Sequence, residues 1–237
     1  MTMFSSLWFS PTEITGTNTA NATSTSSTAV HTFAGQSLGA VDSTRIIAVA
    51  VGMGDNASDT GSSPRTINSV TVGGTSLTKQ VGAVANLTVE NFRAEIWSGY
   101  VPSGTTADVV VTMSGTIGTS RGVGISVHSL IGTGEVTANA TATDNDVGSS
   151  SNPLELDVNT QNGGYVIGYG VSFKTAPNTA TWSGVTELTD SMTGNVAQTA
   201  ANYSPISDET PETITLTFTS GSNGQAGVTA SWFPVQE

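Results

Sequence analysis

Ile67-Asn-Ser-Val-Thr-Val-Gly-Gly-Thr-Ser-Leu-Thr-Lys-Gln-Val81 and Phe92-Arg-Ala-Glu-Ile-Trp-Ser-Gly-Tyr-Val101 decide how this chain folds. They are followed by Pro102-Ser-Gly-Thr105, Asp108-Val-Val-Val-Thr-Met113 and Gly122-Val-Gly-Ile-Ser-Val-His-Ser-Leu-Ile131. Each piece is a short β-branched or aromatic run bounded by Gly, Ser, Asn or Pro, which is how a β-meander reads. Gly73-Gly74 marks a hairpin, because the tightest hairpin turns need positive φ at their central residues.

Working toward the N-terminus, Arg45-Ile-Ile-Ala-Val-Ala-Val51 is the strongest apolar run of the first half and predicts a central core strand. Residues 52–65, with Asp55, Asn56, Asp59, Gly61 and Pro64, read as a loop. Val30-His-Thr-Phe33 predicts a short strand. Residues 17–28 are rich in Thr, Ser, Asn and Ala and suit either a flexible loop or an exposed edge strand. Residues 4–16 predict a first strand with Leu7, Phe9 and Ile14 turned inward.

Toward the C-terminus, residues 136–143 alternate and residues 144–153 read as a polar loop. Leu154, Leu156 and Val158 share one face of a period-two segment. Tyr165-Val-Ile-Gly-Tyr-Gly-Val-Ser-Phe173 predicts a second central strand, and runs at 182–188, 197–203, 214–218 and 227–233 complete the set. No segment has helical periodicity, so the expected class is all-β, an antiparallel β-sandwich or jelly-roll-like body.

The halves resemble each other. The runs beginning at Arg45, Ser69, Pro102 and Gly124 find counterparts beginning at Tyr165, Thr181, Pro205 and Gly227, in the same order. Two related halves are therefore expected, 1–131 and 132–237, as two sandwiches or one continuous body. The repeat is far longer than that of a solenoid.

With 237 residues the chain can bury most of its apolar surface without staples. It has no Cys, which excludes disulfides and thiol chemistry. Only 10% of residues are charged, against about 25% in an average domain. Six Lys and Arg against 18 Asp and Glu give a formal charge of −12. That balance opposes a nucleic-acid partner, which needs clustered cations, and opposes docking on anionic lipid. No apolar run of about eighteen residues predicts a membrane helix, so no membrane insertion is expected. The start, Met1-Thr-Met-Phe-Ser-Ser-Leu-Trp-Phe-Ser10, lacks a basic region and makes a poor export signal.

At Ser69-Val-Thr-Val-Gly-Gly-Thr-Ser-Leu-Thr-Lys79, Ala94-Glu-Ile-Trp97 and Val109-Val-Val-Thr-Met-Ser-Gly115, the chain resembles a β-sandwich family common in tailed-phage and environmental bacterial sequences. That family shows an SVT-GG-LTK hairpin, a VELWY strand, a P-GT turn and a VTVTFSG strand, followed by a GAVSFSGV strand. The resemblance spans residues 44–233 and leaves 1–43 unplaced. It implies a non-enzymatic virion surface or fibre-associated protein and supplies no catalytic residues.

Residue constellations for chemistry are sparse. His31 and His128 are the only histidines, each in a strand-like run, whereas metal sites need several ligands. A hydrolytic triad would need one of them, and no Gly-x-Ser-x-Gly elbow is present. Glu90 with Glu95, Asp144 with Asp146, and Asp208 with Glu209 are the carboxylate pairs open to glycosidase chemistry. Asp144-Asn-Asp146, and Asp55-Asn56 with Asp59, offer oxygen ligands for Ca²⁺ but lack the full EF-hand spacing, so ordinary polar loops are expected there. Trp97 and Trp232 sit in apolar strands and are expected in the core. Trp182, between Thr181 and Ser183, is the candidate for a glycan-stacking surface. The uncharged patch Phe4, Leu7, Trp8 and Phe9 is the candidate docking segment.

The expectation is thus a structural protein of a tailed bacteriophage. It would assemble in the host cytoplasm and be exposed on the particle as a head decoration or head-fibre protein, with a tail component next. No catalytic residue, cofactor or metal is expected. Its partners would be other virion proteins, capsid or tail, and copies of itself. The alternative is a carbohydrate-binding or adhesion module that contacts host surface glycan.

Overall fold

Alternation of large apolar, small and polar residues across successive strands sets both the layers and their contacts here. The structure is a computed structural model describing residues 13–56, 64–88, 90–118, 120–148, 153–173, 180–218 and 224–235. Those residues contain strands and turns and no helix. The fold is an all-β, antiparallel sandwich.

The first half carries β1 (Thr15–Ser24), β2 (Val30–Ser37), β3 (Ile46–Asn56), β4 (Ile67–Val72), β5 (Thr75–Ser76), β6 (Thr78–Asn86), β7 (Glu90–Tyr100), β8 (Thr106–Met113) and β9 (Val123–Ile131). They form an inner sheet in the order β1-β9-β3-β7-β6 and an outer sheet in the order β2-β8-β4-β5. Successive strands switch sheets as a jelly roll does, with β1, β9, β3 and β7 facing β2, β8, β4 and β5.

The second half carries β10 (Ala140–Asp146), β11 (Leu154–Glu155), β12 (Val158–Thr160), β13 (Tyr165–Phe173), β14 (Ala180–Ser183), β15 (Thr186–Thr193), β16 (Val196–Tyr203), β17 (Glu209–Glu212), β18 (Thr215–Phe218) and β19 (Gln225–Trp232). Its inner sheet runs β10-β19-β13-β16-β15. Its outer layer holds β11-β18-β14 and the pair β12-β17, joined by a hydrogen bond from Leu156 N to Ile214 O of 2.9 Å. Strand for strand this order matches the first half: β3 with β13, β9 with β19, β4 with β14 and β8 with β18. These are the four segment pairs whose sequences correspond.

Four layers result, because the two inner sheets lie face to face. On β3, Ile47, Val49, Val51 and Met53 face the outer sheet of their own half, while Ile46, Ala48 and Ala50 face the second half. On β13, Ile167, Tyr169 and Val171 face the first half and Val166 faces its own outer layer. Period-two alternation thus supplies two cores from one strand. The middle core sets small Ala48, Ala50, Ala83 and Ala94 against large Tyr165, Tyr169, Phe92 and Trp232, which keeps packing dense between sheets of limited spacing. Full burial of each such aliphatic or aromatic side chain is worth roughly 1.5–3 kcal/mol.

The inner sheets stack in opposite orders: β3 over β13, β6 over β10 and β19, and β1 over β15. The β6–β10 side is closed. Val136 O accepts from Ser98 Oγ (2.7 Å) and Trp232 Nε1 (3.2 Å), and Ala138 N donates to Gln80 Oε1 (3.0 Å). The β1–β15 side is open.

The two predicted central strands lie at the centres of their sheets. Two boundaries differ from expectation, at residues 52–56 and at residues 136–146. Residues 52–56 continue β3 rather than opening a loop, because Gly52 and Gly54 make room for Val171, Tyr169 and Val196 of the facing sheet. Of the two alternatives for residues 17–28, the edge strand is the one observed: residues 17–24 form most of β1, paired along β9. Residues 136–139 precede β10 and plug the closed side, while Asp144 and Asp146 belong to β10 rather than to a loop. Ile14 is buried as expected; Leu7 and Phe9 lie outside the described residues.

Candidate functional site

Both histidines are structural. His31 is buried, its Nδ1 3.2 Å from Ser24 Oγ and its Nε2 3.1 Å from Thr28 O. His128, on the β9 face that meets the second half, has Nε2 2.9 Å from Ser126 Oγ and Nδ1 3.3 Å from Tyr165 Oη. Asn18 Nδ2 donates to Ser126 Oγ (2.9 Å) and Asn202 Nδ2 to Tyr165 Oη (2.7 Å). A polar seam therefore crosses the middle core from β1 to β16. Burial pushes the His128 imidazolium down to about 3 and the Tyr165 phenol up to about 12, so both are neutral near pH 7.

The carboxylates brace the backbone or pair with cations. Glu90 and Glu95 are five apart on one strand and therefore on opposite faces. Glu90 pairs with Arg121. Glu95 is buried and accepts from Trp97 Nε1 (3.0 Å) and Arg93 Nη1 (3.3 Å), with Lys79 Nζ at 3.7 Å. Burial raises its pKa, and Lys79 and Arg93 oppose that rise. Asp144 accepts from the backbone N–H groups of Asn145 and Glu155, both at 2.8 Å, and Asp146 from that of Gly148 at 2.7 Å. Asp208 accepts from Asn162 N at 2.8 Å and Glu209 from Ser207 Oγ at 3.1 Å. Asp55 is buried, which raises its pKa, and accepts from Arg65 N at 3.3 Å; Asp59 lies outside the described residues. No group of three or more His, Asp or Glu able to hold a metal occurs among the described residues.

The indoles correct one expectation. Trp97 and Trp232 are core residues, as expected. Trp182 is only 8% exposed rather than a surface platform. Its ring lies over Gly168 of β13, whose missing side chain makes the space, and its Nε1 donates to Thr199 Oγ1 at 2.8 Å. Thr181 and Ser183 are the exposed residues of that strand, because alternation sends the larger ring inward. Phe4, Leu7, Trp8 and Phe9 lie outside the described residues.

What the fold does build is a cleft of about 290 Å³ at the open β1–β15 side. Asn21 and Thr23 come from β1, Thr189 and Ser191 from β15, Tyr169 from β13 and Gln198 from β16. Gln198 is 2% exposed, and its Oε1 accepts from Tyr169 Oη at 2.7 Å. Gly124 of β9 leaves the space that the amide occupies, since a Cβ there would collide with it. Gln198 Nε2 is buried and has no hydrogen-bond partner. No charged residue lines this cleft among the described residues.

No protein-family model matches the chain, and no curated protein matches it.

The cleft residues escape a reading by sequence. They are neutral, come from five strands, and meet only because two sheets from different halves are stacked. The one local sign is Gln198 itself, an amide inside the small apolar run Val196-Ala-Gln-Thr-Ala-Ala201.

Proposed function

We propose that this chain is a non-enzymatic structural protein of a tailed bacteriophage, displayed on the particle surface. A head decoration or head-fibre protein is the first assignment and a tail component the second. The observation that carries this reading is the engagement of the residues best suited to chemistry. His31, His128, Glu95, Asp144 and Asp208 all brace strands and turns of a stacked β-body. The sandwich and its jelly-roll strand order support the reading by analogy, since that architecture serves viral capsid and lectin domains among others. The motif resemblance of residues 44–233 points the same way.

In this role the protein works passively. Paired strands satisfy the backbone, three apolar cores hold the layers together, and an outer face or the N-terminal segment docks on the shell. A stable contact of that kind buries about 1,200–2,000 Å². Partners are other capsid or tail proteins and further copies of the chain. Assembly takes place in the host cytoplasm.

Quantitative mass spectrometry of purified particles tests this. Copy numbers of order hundreds beside the major capsid protein are expected for a head decoration, and a handful for a tail or vertex component. Absence from purified particles contradicts the assignment.

A further inference from the structure

The open side of the middle core has a feature that a passive body does not need. The two ends of the inter-sheet interface are related by the opposed strand orders, yet only one is sealed. Residues 136–139 and Trp232 close the β6–β10 end. At the β1–β15 end, Gln198 keeps a buried amide N–H₂ group without a partner, at the wall of a cleft that opens to solvent. Buried donors are nearly always paired, by protein, water or ligand.

We propose that this cleft binds a neutral polyhydroxylated ligand, a single sugar residue or the end residue of a glycan, with Gln198 as its central hydrogen-bond donor. The proposal stands on the cleft alone and does not depend on the virion assignment.

The lining chooses the ligand class. Thr23, Thr189 and Ser191 supply hydroxyls that both donate and accept, and Asn21 supplies a further amide. Sugar hydroxyls have the same dual character. The absence of any charge among the described lining residues disfavours phosphates, carboxylates and metal ions, whose desolvation would go uncompensated. Asp190, on neighbouring β15, turns its carboxylate to Ala180 N at 2.8 Å, away from the cleft. A volume of about 290 Å³ lies at the lower end of small-ligand clefts and suits one ring rather than an extended chain.

Gln198 is oriented for this task. Tyr169 Oη donates to its carbonyl oxygen at 2.7 Å, which leaves both N–H hydrogens of the amide without a partner. Gly52 and Gly124 leave the facing sheet bare around the amide, which keeps it in the interface. Asn21 Nδ2 is held by Asn18 Oδ1 at 2.8 Å, which limits its motion at the rim.

The test is NMR titration of the full chain with glucose, galactose, mannose and N-acetylglucosamine, and with glucuronate and glucose 6-phosphate as charged controls. At least one neutral sugar is expected to shift the Gln198 side-chain amide saturably, with a midpoint on the order of millimolar. Thr23→Trp and Ser191→Trp fill the cleft from edge strands, where Trp is well tolerated. Each is expected to weaken binding at least tenfold, whereas Thr181→Trp on the outer layer leaves it unchanged. Gln198→Leu is expected to abolish it. No saturable shift with any neutral sugar at about 100 mM overturns the proposal. So does binding that survives both cleft-filling variants, or a charged control that binds as tightly as the neutral sugars.

Discussion

Arg45 immediately precedes β3 and is fully buried without a carboxylate in hydrogen-bond contact. Its guanidinium donates to the backbone carbonyls of Val101 (2.8 Å), Leu38 (3.2 Å), Gly39 (3.3 Å), Ala40 (2.7 Å), Ser103 (2.8 Å) and Gly104 (2.8 Å). One side chain thus ties two turns, and the planar fork of Arg can do this where Lys cannot. Arg45→Met should cost about 3 kcal/mol or more, because it leaves buried carbonyls unpaired. Urea denaturation measures this; a loss below about 1 kcal/mol would mean that water replaces the guanidinium freely. His128 gives a pH prediction. Its folded pKa is about 3, below its unfolded value of 6.5, so the unfolded chain binds the extra proton. Its contribution is fully present above pH 6.5 and is lost as pH falls toward about 3, at up to roughly 1.4 kcal/mol per pH unit. In His128→Gln the acid limb of stability against pH should be flatter than in the parent by that amount. Parallel acid limbs would show that His128 is not buried neutral.

Glycine decides several elements. Gly170 of β13 sits under Leu216 and Phe218 of the outer layer, so a side chain there collides with the second-half core. Gly35 has φ +60° and open space around it. Gly170→Val should therefore lower stability by about 1–3 kcal/mol through overpacking. Gly35→Ala should cost only its backbone strain, about 1 kcal/mol. Thermal unfolding of the two variants ranks them, and a larger loss for Gly35→Ala would reverse this account of the glycines. The same residues explain what the sequence could and could not reveal. The apolar runs at Ile46 and Tyr165 and the turn at Gly73-Gly74 are local signals, and the structure has strands and a hairpin there. Gly52, Gly54 and Asp55 look like loop residues, because strand glycines that admit a facing side chain carry the same letter as turn glycines. Trp182 misled for a related reason: its polar neighbours lie on the opposite face of the same strand. The cleft at Gln198 depends on how two sheets from different halves stack, and no window of sequence contains that.

Across the whole molecule, three cores in series are shared by four layers, and the middle one belongs to both halves. Residues 1–131 alone would expose Ile46, Ala48, Ala50, Phe92 and Ile96, a contiguous apolar sheet face. A patch of that kind drives self-association. The fragment should be recovered as an aggregate or a dimer rather than as a monomer, which size-exclusion chromatography reads directly. A stable, soluble monomer of 1–131 would show that the middle core is dispensable to that half. A continuous body also keeps covered the sheet edges and core faces that partial opening would leave free to pair wrongly.

The tryptophans allow the most direct test of this shared architecture. Trp97 lies in the core of the first half, Trp232 in the middle core and Trp182 in the core of the second half. Three variants, each retaining one of these and replacing the other indoles including Trp8 with Phe, report the layers separately by fluorescence during urea unfolding. After correction for the stability of each variant by circular dichroism, the fluorescence and dichroism transitions should coincide in all three, marking one cooperative four-layer unit. A Trp97 transition separated from that of Trp182, with Trp232 changing in a step of its own, would contradict it.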